Sequence, residues 1–309
     1  MNFLKKWMIG VRLPFLTASA VPVIFGCALA WQKTGSFDFM LFLVTLLGVS
    51  FAQMGTNLIN DYYDHKTTDD DINKTPTPFS GGSRVIQDKI MSAREVFAGG
   101  MVTFGLAAVC GVYLWIAVRS TYGNEWTIPL LALIGFLSGF LYTATPVKLG
   151  YRGWGELFIG ANFGALAVLG SYYVQTGLVS WMPVIVSLPI SFLIAAVVYI
   201  NQYPDYEADR EVKKRHWVVR LGKKNAIGGY LFLIYGSYLA TLIAVLFEMI
   251  PIYTLVVFLT LPLAINATKT LMANYDRINE LLPANAATIK IHLLYGLLLS
   301  VGLVVDKVV

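Results

Sequence analysis

The chain reads NLINDYYD at residues 57–64 and NQYPDYEAD at residues 201–209. Both segments follow long apolar runs, and in both an asparagine precedes an aspartate by four residues. If a helix continues through each segment, one amide and two carboxylates lie on a common face of that helix. These residues are Asn57, Asp61 and Asp64 in the first segment and Asn201, Asp205 and Asp209 in the second. Pro204 can kink the second helix at this point. The sequence thus predicts two helices with acidic ends.

The composition is typical of an integral membrane protein. Of 309 residues, 57% are apolar and 13% are charged, against about 25% charged residues in a soluble globular protein. The mean hydropathy is +0.65, and a water-soluble enzyme of this composition would be unusual. The two cysteines, Cys27 and Cys110, both lie in apolar runs, which argues against a disulfide scaffold or a cysteine-rich metal site.

Uncharged runs of span length predict an all-α polytopic membrane protein with nine transmembrane helices. The runs cover residues 13–32, 39–63, 96–118, 127–145, 155–176, 182–203, 227–247, 250–268 and 287–305. The two acidic segments follow the second and sixth runs, which suggests two repeated four-helix halves. We therefore expect residues 1–309 to form one membrane-embedded domain, with halves at about 13–145 and 155–268 and a ninth helix at 287–305.

The distribution of charge predicts the orientation of these helices. If the N-terminus is cytoplasmic, twenty of the 23 lysines and arginines fall on the cytoplasmic side, as the positive-inside rule requires. The exceptions are Lys33, Arg119 and Lys307. The net charge of +5 then reflects topology, and we expect no nucleic acid partner. The acidic residues share that side, although the rule gives them no preference. Only four of them lie elsewhere, namely Asp38, Glu125, Glu248 and Asp306.

Clustered carboxylates near a bilayer repel one another and are costly to desolvate, so a bound cation is expected. Oxygen ligands of this kind suit Mg²⁺, which commonly bridges carboxylates and substrate phosphates. Basic residues stand nearby in the segments 142–153 and 213–215 and at the start of the first span, and such residues bind phosphate oxygens. Two readings stay open here: a diphosphate-metal site, or solvated acidic helix ends beside ordinary positive-inside loops.

The loop at residues 65–94 is long for a compact membrane protein and contains Pro76, Pro78 and the pair Gly81-Gly82. A loop of this kind can close over a bound substrate as a lid.

The two motifs, Asn57-x-x-x-Asp61-x-x-Asp64 and Asn201-x-x-x-Asp205-x-x-x-Asp209, together with nine spans, resemble the UbiA-type superfamily of intramembrane aromatic prenyltransferases over nearly the whole chain. Within it, NDYYD at 60–64, SGGS at 80–83 and YRGWGE at 151–156, continuing to VLGSYYVQTG at 168–177, are similar to the menaquinone branch. Enzymes of that branch use 1,4-dihydroxy-2-naphthoate as the acceptor.

The resemblance implies a helical bundle around a central cavity open to lipid, in the inner (plasma) membrane of the cell, with the active site on the cytoplasmic face. It implies a polyprenyl diphosphate donor, a small aromatic acceptor and Mg²⁺ as the cofactor. Asp61 and Asp205 would be catalytic residues. The Mg²⁺ ligands would be Asp61, Asp64, Asp205 and Asp209, supported by Asn57 and Asn201. The diphosphate would be bound by Lys148, Arg152, Lys214, Arg215 and Arg12. Residues with a looser match to the site are Asp69, Tyr142 and Asn60.

Departures from the family pattern leave the acceptor open. Lys213 replaces a usual glycine, His216 a common threonine, and the segment 162–165 replaces a frequent Phe-Gly-Pro. Alternative acceptors are 4-hydroxybenzoate, a haem or chlorophyll precursor, or a glycerol phosphate lipid. A cation-coupled secondary transporter is the alternative from another class, but it predicts carboxylates near the bilayer midplane rather than at helix ends.

Overall fold

The computed structural model describes residues 2–123 and 126–309; Glu125, one of the four acidic residues expected on the far side, lies outside this part of the chain. Most of the described residues are helical, and the one extended pairing among them is an isolated bridge between Thr77 and Ser80. The helices are α1 (Phe3–Gly10), α2 (Thr17–Thr34), α3 (Phe39–Lys66), α4 (Asp69–Ile72), α5 (Ala93–Tyr122), α6 (Thr127–Phe140), α7 (Gly155–Gly160), α8 (Ala167–Thr176), α9 (Trp181–Val186), α10 (Leu188–Glu211), α11 (Trp217–Leu221), α12 (Lys223–Leu246), α13 (Leu261–Asn274) and α14 (Ile278–Val308).

Four 3₁₀ and π elements complete the helical part of the described chain. The 3₁₀ turn Leu13–Leu16 leads into α2, the 3₁₀ turn Leu149–Arg152 precedes α7, the π-helix Ala161–Leu166 joins α7 to α8, and the 3₁₀ helix Ile252–Thr260 leads into α13. The expected all-α class is therefore confirmed.

Among the described residues, seven helical segments are long and apolar enough to cross a membrane, so the chain is a multi-pass membrane protein. They are Leu13–Thr34, Phe39–Lys66, Ala93–Tyr122, Gly155–Thr176, Lys223–Leu246, Ile252–Asn274 and Ile278–Val308. The other two predicted spans coincide with α6, which has only 14 residues, and with α10, whose last third is polar. The count of nine spans, the two repeated halves and the cytoplasmic N-terminus stay predictions.

The largest buried core lies where α2, α10, α12 and α14 meet. Its fully buried large side chains include Phe25, Ile200, Tyr230 and Tyr295. Several buried hydroxyls are satisfied in pairs across helices; the Tyr230 hydroxyl, for example, lies 2.6 Å from that of Thr288. Such pairing removes the penalty of leaving a polar group alone in an apolar interior.

A cavity of about 540 Å³ lies on the other side of the bundle, between α3, α5, α6 and the α7–α8 segment. Its wall is mostly apolar, and Tyr142 and Asn162 are among its few polar residues. Asn162 belongs to the π-helix Ala161–Leu166, and π-helical turns are frequent at functional sites. Thr56 also lines the cavity and is adjacent in sequence to the first acidic motif, so the cavity extends close to that motif.

The close approach of α2 and α8 depends on Gly26. A β-carbon at this position would lie 2.6 Å from the carbonyl oxygen of Val168. We expect Gly26→Leu to force the helices apart and to lower the free energy of unfolding by about 1–3 kcal/mol. Thermal unfolding in detergent measures this. Gly228→Leu is the matched control, because nothing lies within 4 Å of a β-carbon there. Equal stability of the two variants would show that the contact is not tight.

Candidate active site

Both acidic motifs lie on continuous helix. α3 extends to Lys66, beyond the first motif, and α10 extends to Glu211, with Pro204 inside the helix. The predicted sharing of one face is therefore correct for both segments. Asp61, Asp64 and Asp209 are buried, each with 4% or less of its surface exposed. Buried carboxylates require compensating hydrogen bonds or positive charge.

Arg12 supplies positive charge to the first motif. Its guanidinium forms an ion pair with Asp61 and donates a hydrogen bond of 3.2 Å to Oδ1 of Asn60. Asn60 in turn donates to Asp64 at 2.9 Å. Arg12 immediately precedes the 3₁₀ turn Leu13–Leu16, and its backbone φ of 54° lies in the left-handed region. Arg12 and Asn60 are thus both part of the site.

Lys214 connects the two motifs. Its ammonium nitrogen lies 3.3 Å from Asp64 on α3, 3.4 Å from Asp209 on α10 and 2.7 Å from Asp69 on α4. Burial opposes this charge, but the three carboxylates outweigh it and hold the pKa of Lys214 well above its usual range. One cation shared by α3, α4 and α10 shows that the two acidic segments face each other.

Two further side chains hold these carboxylates in place. The Tyr151 hydroxyl donates to Asp64 at 2.9 Å, and Nε2 of His216 lies 2.7 Å from Asp209. Neither residue was predicted to belong to the site. In the sequence, Tyr151 is part of a segment similar to the family, and His216 is a departure from the family pattern. Neither feature indicates a contact with a motif aspartate.

The segment between α3 and α5, residues 67–92, covers both motifs, and we name it the covering loop. Asn73 donates to Oδ1 of Asp205 at 2.8 Å, and the Gly81 N–H donates to Oδ2 at 3.0 Å. Ser83 donates to Asp61 through its hydroxyl and, at 3.3 Å, through its backbone N–H. The loop therefore makes hydrogen bonds to α3 and to α10 at once.

Carboxylate oxygens without partners remain under this loop. Oδ1 of Asp69 and Oδ2 of Asp70 are buried and accept no hydrogen bond from the part of the chain that the structure describes. Burial and the neighbouring carboxylates raise the pKa of Asp69 to about 8, despite the opposing charge of Lys214, and burial raises that of Asp70 as well. Asp70 was not predicted as a site residue. These groups need more positive charge than Arg12 and Lys214 provide.

The donor set fits a hard cation such as Mg²⁺, because the groups are carboxylates and two of their oxygens are buried without partners. In the arrangement observed, no three acidic, histidine or cysteine groups of the described residues converge closely enough to hold an ion. The Lys214 ammonium instead lies among three of the carboxylates. A metal ion would therefore require these side chains to rearrange around it.

The two asparagines of the motifs are tied to other parts of the chain. Asn57 donates to the Val11 carbonyl at 3.0 Å, and Asn201 accepts from Asn285 on α14 at 2.8 Å. Asn285 lies outside both motifs and could not be recognised from the sequence.

The remaining predicted basic residues lie apart from the carboxylates. Arg152 is exposed and donates to the Pro146 carbonyl at 3.0 Å, and Arg215 is exposed. Lys148 places its ammonium 4.9 Å from the centre of the Tyr151 ring. Within the described part of the chain none of the three forms an ion pair with a motif carboxylate. Their role in binding a diphosphate stays a prediction.

An all-helical membrane protein with buried carboxylates beside an apolar cavity suits chemistry on a substrate that combines an anionic head with an apolar tail. Residues 19–293 match the sequence profile of the UbiA prenyltransferase family. The chain belongs to this family and is a prenyltransferase.

Named relatives and solved structures agree with this assignment. The chain is 29% identical to the 1,4-dihydroxy-2-naphthoate octaprenyltransferase of Bacillus subtilis, over 94% of this chain and 89% of the relative. Its fold is similar to that of a UbiA homolog from Aeropyrum pernix, with a TM-score of 0.68 and 16% identity over 94% of this chain and 97% of the other. It is also similar to a UbiA homolog from Archaeoglobus fulgidus bound to GPP and Mg²⁺, with a TM-score of 0.61 and 18% identity over 96% and 99% of the chains.

Substitution of Gly82 tests whether the position of the covering loop matters for prenyl transfer. Its φ is +74°, and a β-carbon there would lie 2.2 Å from Oδ2 of Asp70. We expect Gly82→Ala to displace the loop and to reduce prenyl transfer by about tenfold or more. The assay is prenyl transfer in detergent, with thermal unfolding measured alongside. Gly123→Ala is the control, since its φ is +75° but nothing lies within 4 Å. Full activity of Gly82→Ala would mean that the loop need not cover the motifs.

Proposed function

We propose that this enzyme transfers a polyprenyl group from a polyprenyl diphosphate to 1,4-dihydroxy-2-naphthoate, with Mg²⁺ as the cofactor. The observation that carries the proposal is the single ammonium of Lys214 shared by carboxylates of α3, α4 and α10. A site that binds one cation among facing carboxylates suits a metal-diphosphate group. The name of the Bacillus subtilis relative supports the acceptor, and the Archaeoglobus fulgidus homolog with GPP and Mg²⁺ supports the donor and the metal.

Under this proposal the acidic motifs hold Mg²⁺. The ligands come from Asp61, Asp64, Asp205 and Asp209, and the buried oxygens of Asp69 and Asp70 add negative charge around them. When bound, Mg²⁺ supplies positive charge that stabilises the departing diphosphate.

Lys214 and Arg12 change partners when the donor binds. Both now neutralise carboxylates, and both are close enough to the motifs to bind phosphate oxygens instead. With Mg²⁺ bound among the carboxylates, the two basic side chains would be free to stabilise the negative charge that develops on the diphosphate. The covering loop holds Asp61 and Asp205 in place and keeps water away.

The reaction breaks the allylic carbon–oxygen bond, and its electron pair leaves with the diphosphate. The allylic carbon becomes cation-like and is attacked by an electron-rich carbon of the aromatic acceptor, which forms the new carbon–carbon bond. Loss of the acceptor carboxylate as CO₂ restores the aromatic ring. The cavity of about 540 Å³ holds isoprenoid tail, and its apolar wall keeps water from the cation-like carbon.

We further propose that the helices form one domain of two repeated halves in the plasma membrane, with the motifs on the cytoplasmic face. The excess of lysine and arginine on one side of the predicted spans supports this orientation.

The acceptor can be identified with membranes that contain the enzyme, labelled polyprenyl diphosphate and a panel of aromatic acids. We expect a decarboxylated prenyl product from 1,4-dihydroxy-2-naphthoate, identified by mass spectrometry, and little product from 4-hydroxybenzoate. Membranes without the enzyme are the control. Transfer to 4-hydroxybenzoate but not to the naphthoate would remove this acceptor assignment.

The metal site can be tested with Asp61→Asn and Asp205→Asn. Each variant removes one negative charge at nearly constant shape, so we expect Mg²⁺-dependent transfer to fall by about 100-fold or more while the protein still inserts and folds. Asp276→Asn is the control, because the Asp276 side chain is 68% exposed and, among the described residues, forms an ion pair with Lys223 alone, at 3.6 Å. Near-normal turnover by Asp61→Asn, or an equal loss in Asp276→Asn, contradicts the assignment.

A further inference from the structure

Pro204 interrupts the hydrogen bonding of α10. Proline has no backbone N–H, so the carbonyl oxygen of Ile200, four residues earlier, lacks its usual helical partner. Asn285 on α14 takes that place, and its amide nitrogen lies 3.2 Å from the Ile200 oxygen. Asn285 is fully buried. Because a carbonyl oxygen only accepts hydrogen bonds, this contact determines that Asn285 presents its NH₂ group to α10.

The same NH₂ group determines the orientation of Asn201. It lies 2.8 Å from Oδ1 of Asn201. Because a donor must meet an acceptor, the Asn201 oxygen accepts this hydrogen bond from Asn285. Its own NH₂ group is left for a ligand. Asn201 is only partly buried, and among the described residues nothing accepts a hydrogen bond from that NH₂ group. The second motif therefore presents a donor one helical turn from Asp205.

Asn57 has the opposite orientation. Its NH₂ group donates to the carbonyl oxygen of Val11 at 3.0 Å, where α1 ends. The oxygen of Asn57 accepts no hydrogen bond from any described residue and lies one helical turn from Asp61. Both orientations rest on backbone carbonyl groups, which cannot exchange donor and acceptor roles.

We propose that the two asparagines have different roles toward the substrate. Asn57 offers an oxygen ligand to Mg²⁺, and Asn201 donates a hydrogen bond to a diphosphate oxygen, with Asn285 as the residue that positions it. An amide NH₂ group is a donor and does not ligate a metal ion, whereas phosphate oxygens accept strong hydrogen bonds. This differs from the equal roles that the two similar motifs predict. The inference rests on the proposed function, because it requires a metal-diphosphate group between α3 and α10.

Substitution by aspartate should have opposite effects at the two positions. Asn201→Asp keeps an oxygen for Asn285 but replaces the outward NH₂ group by a negative oxygen. We expect its unfolding temperature, measured in EDTA without substrate, to stay within about 2 °C of wild type. We expect its dissociation constant for inorganic pyrophosphate with Mg²⁺, measured by calorimetry at pH 8.5, to rise by about tenfold or more.

Asn57→Asp keeps an outward oxygen but places its other oxygen against the Val11 carbonyl. We expect the unfolding temperature in EDTA to fall by about 2 °C or more, because a hydrogen bond is replaced by repulsion between oxygens. Its pyrophosphate dissociation constant should rise less than that of Asn201→Asp, because an oxygen still faces the metal ion. The two variants serve as controls for each other, since each adds one aspartate of nearly the same shape as the asparagine.

A third variant tests the positioning role directly. Asn285→Ala releases Asn201, and we expect weaker pyrophosphate binding while the affinity for Mn²⁺ alone, followed by electron paramagnetic resonance, is unchanged. Tight pyrophosphate binding by Asn201→Asp, or by folded Asn285→Ala, would overturn the proposed donor role. Wild-type protein that binds no pyrophosphate with Mg²⁺ would instead refute the diphosphate site itself, so the two failures are distinct.

Discussion

Buried carboxylates at the ends of α3 and α10 need positive charge, and the arrangement of the site follows from that need. Six aspartates gather there, namely Asp61, Asp64, Asp69, Asp70, Asp205 and Asp209. Arg12 and Lys214 pair with some of them, and the covering loop donates hydrogen bonds to others. Two buried oxygens still lack partners. A site with this deficit of positive charge is unfavourable when empty, which makes it suitable for a metal ion that arrives with its substrate.

The same deficit gives the covering loop its function. Without the loop, Asp205 would lose the hydrogen bonds from Asn73 and Gly81, and Asp61 would lose those from Ser83. The loop therefore stabilises the carboxylates of both motifs. Its glycine pair is required because the chain has a left-handed conformation at both positions, where Gly81 passes Asn73 and Pro76 and Gly82 passes Asp70 with no space for a side chain.

Pro204 illustrates how a local irregularity is compensated from a distance. It leaves one carbonyl of α10 without a helical partner, and Asn285, 84 positions further along the chain than Asn201, supplies that partner. The hydrogen bond from Asn285 also determines which group of the Asn201 amide faces the site. Motifs that read almost alike in the sequence can thereby differ in chemistry, because each amide is oriented by a different backbone group.

The sequence by itself determined the class of the protein and the residues of the two motifs. Apolar runs define membrane helices, and the four-residue spacing of Asn and Asp places side chains on one face, because helix periodicity is a local property. The structure also brings Arg12, Asn60, Asp69 and Lys214, which the sequence names as site residues, into contact with one another and with the motif carboxylates, and their roles stay predictions. Composition alone does not establish the number of spans. Two of the nine predicted spans coincide with α6, which is short, and with α10, which has a polar end.

Only the tertiary structure decided how the charges are paired. Lys214 meets carboxylates from three helices, and Tyr151, His216, Asn73 and Asn285 form hydrogen bonds to the motifs that their positions in the sequence do not reveal. It also showed that Arg152 and Arg215 lie apart from the carboxylates, although they stand in the expected basic segments. Hydrogen bonds and ion pairs act over a few ångströms. Partners separated by tens of residues are therefore known only once the chain has folded.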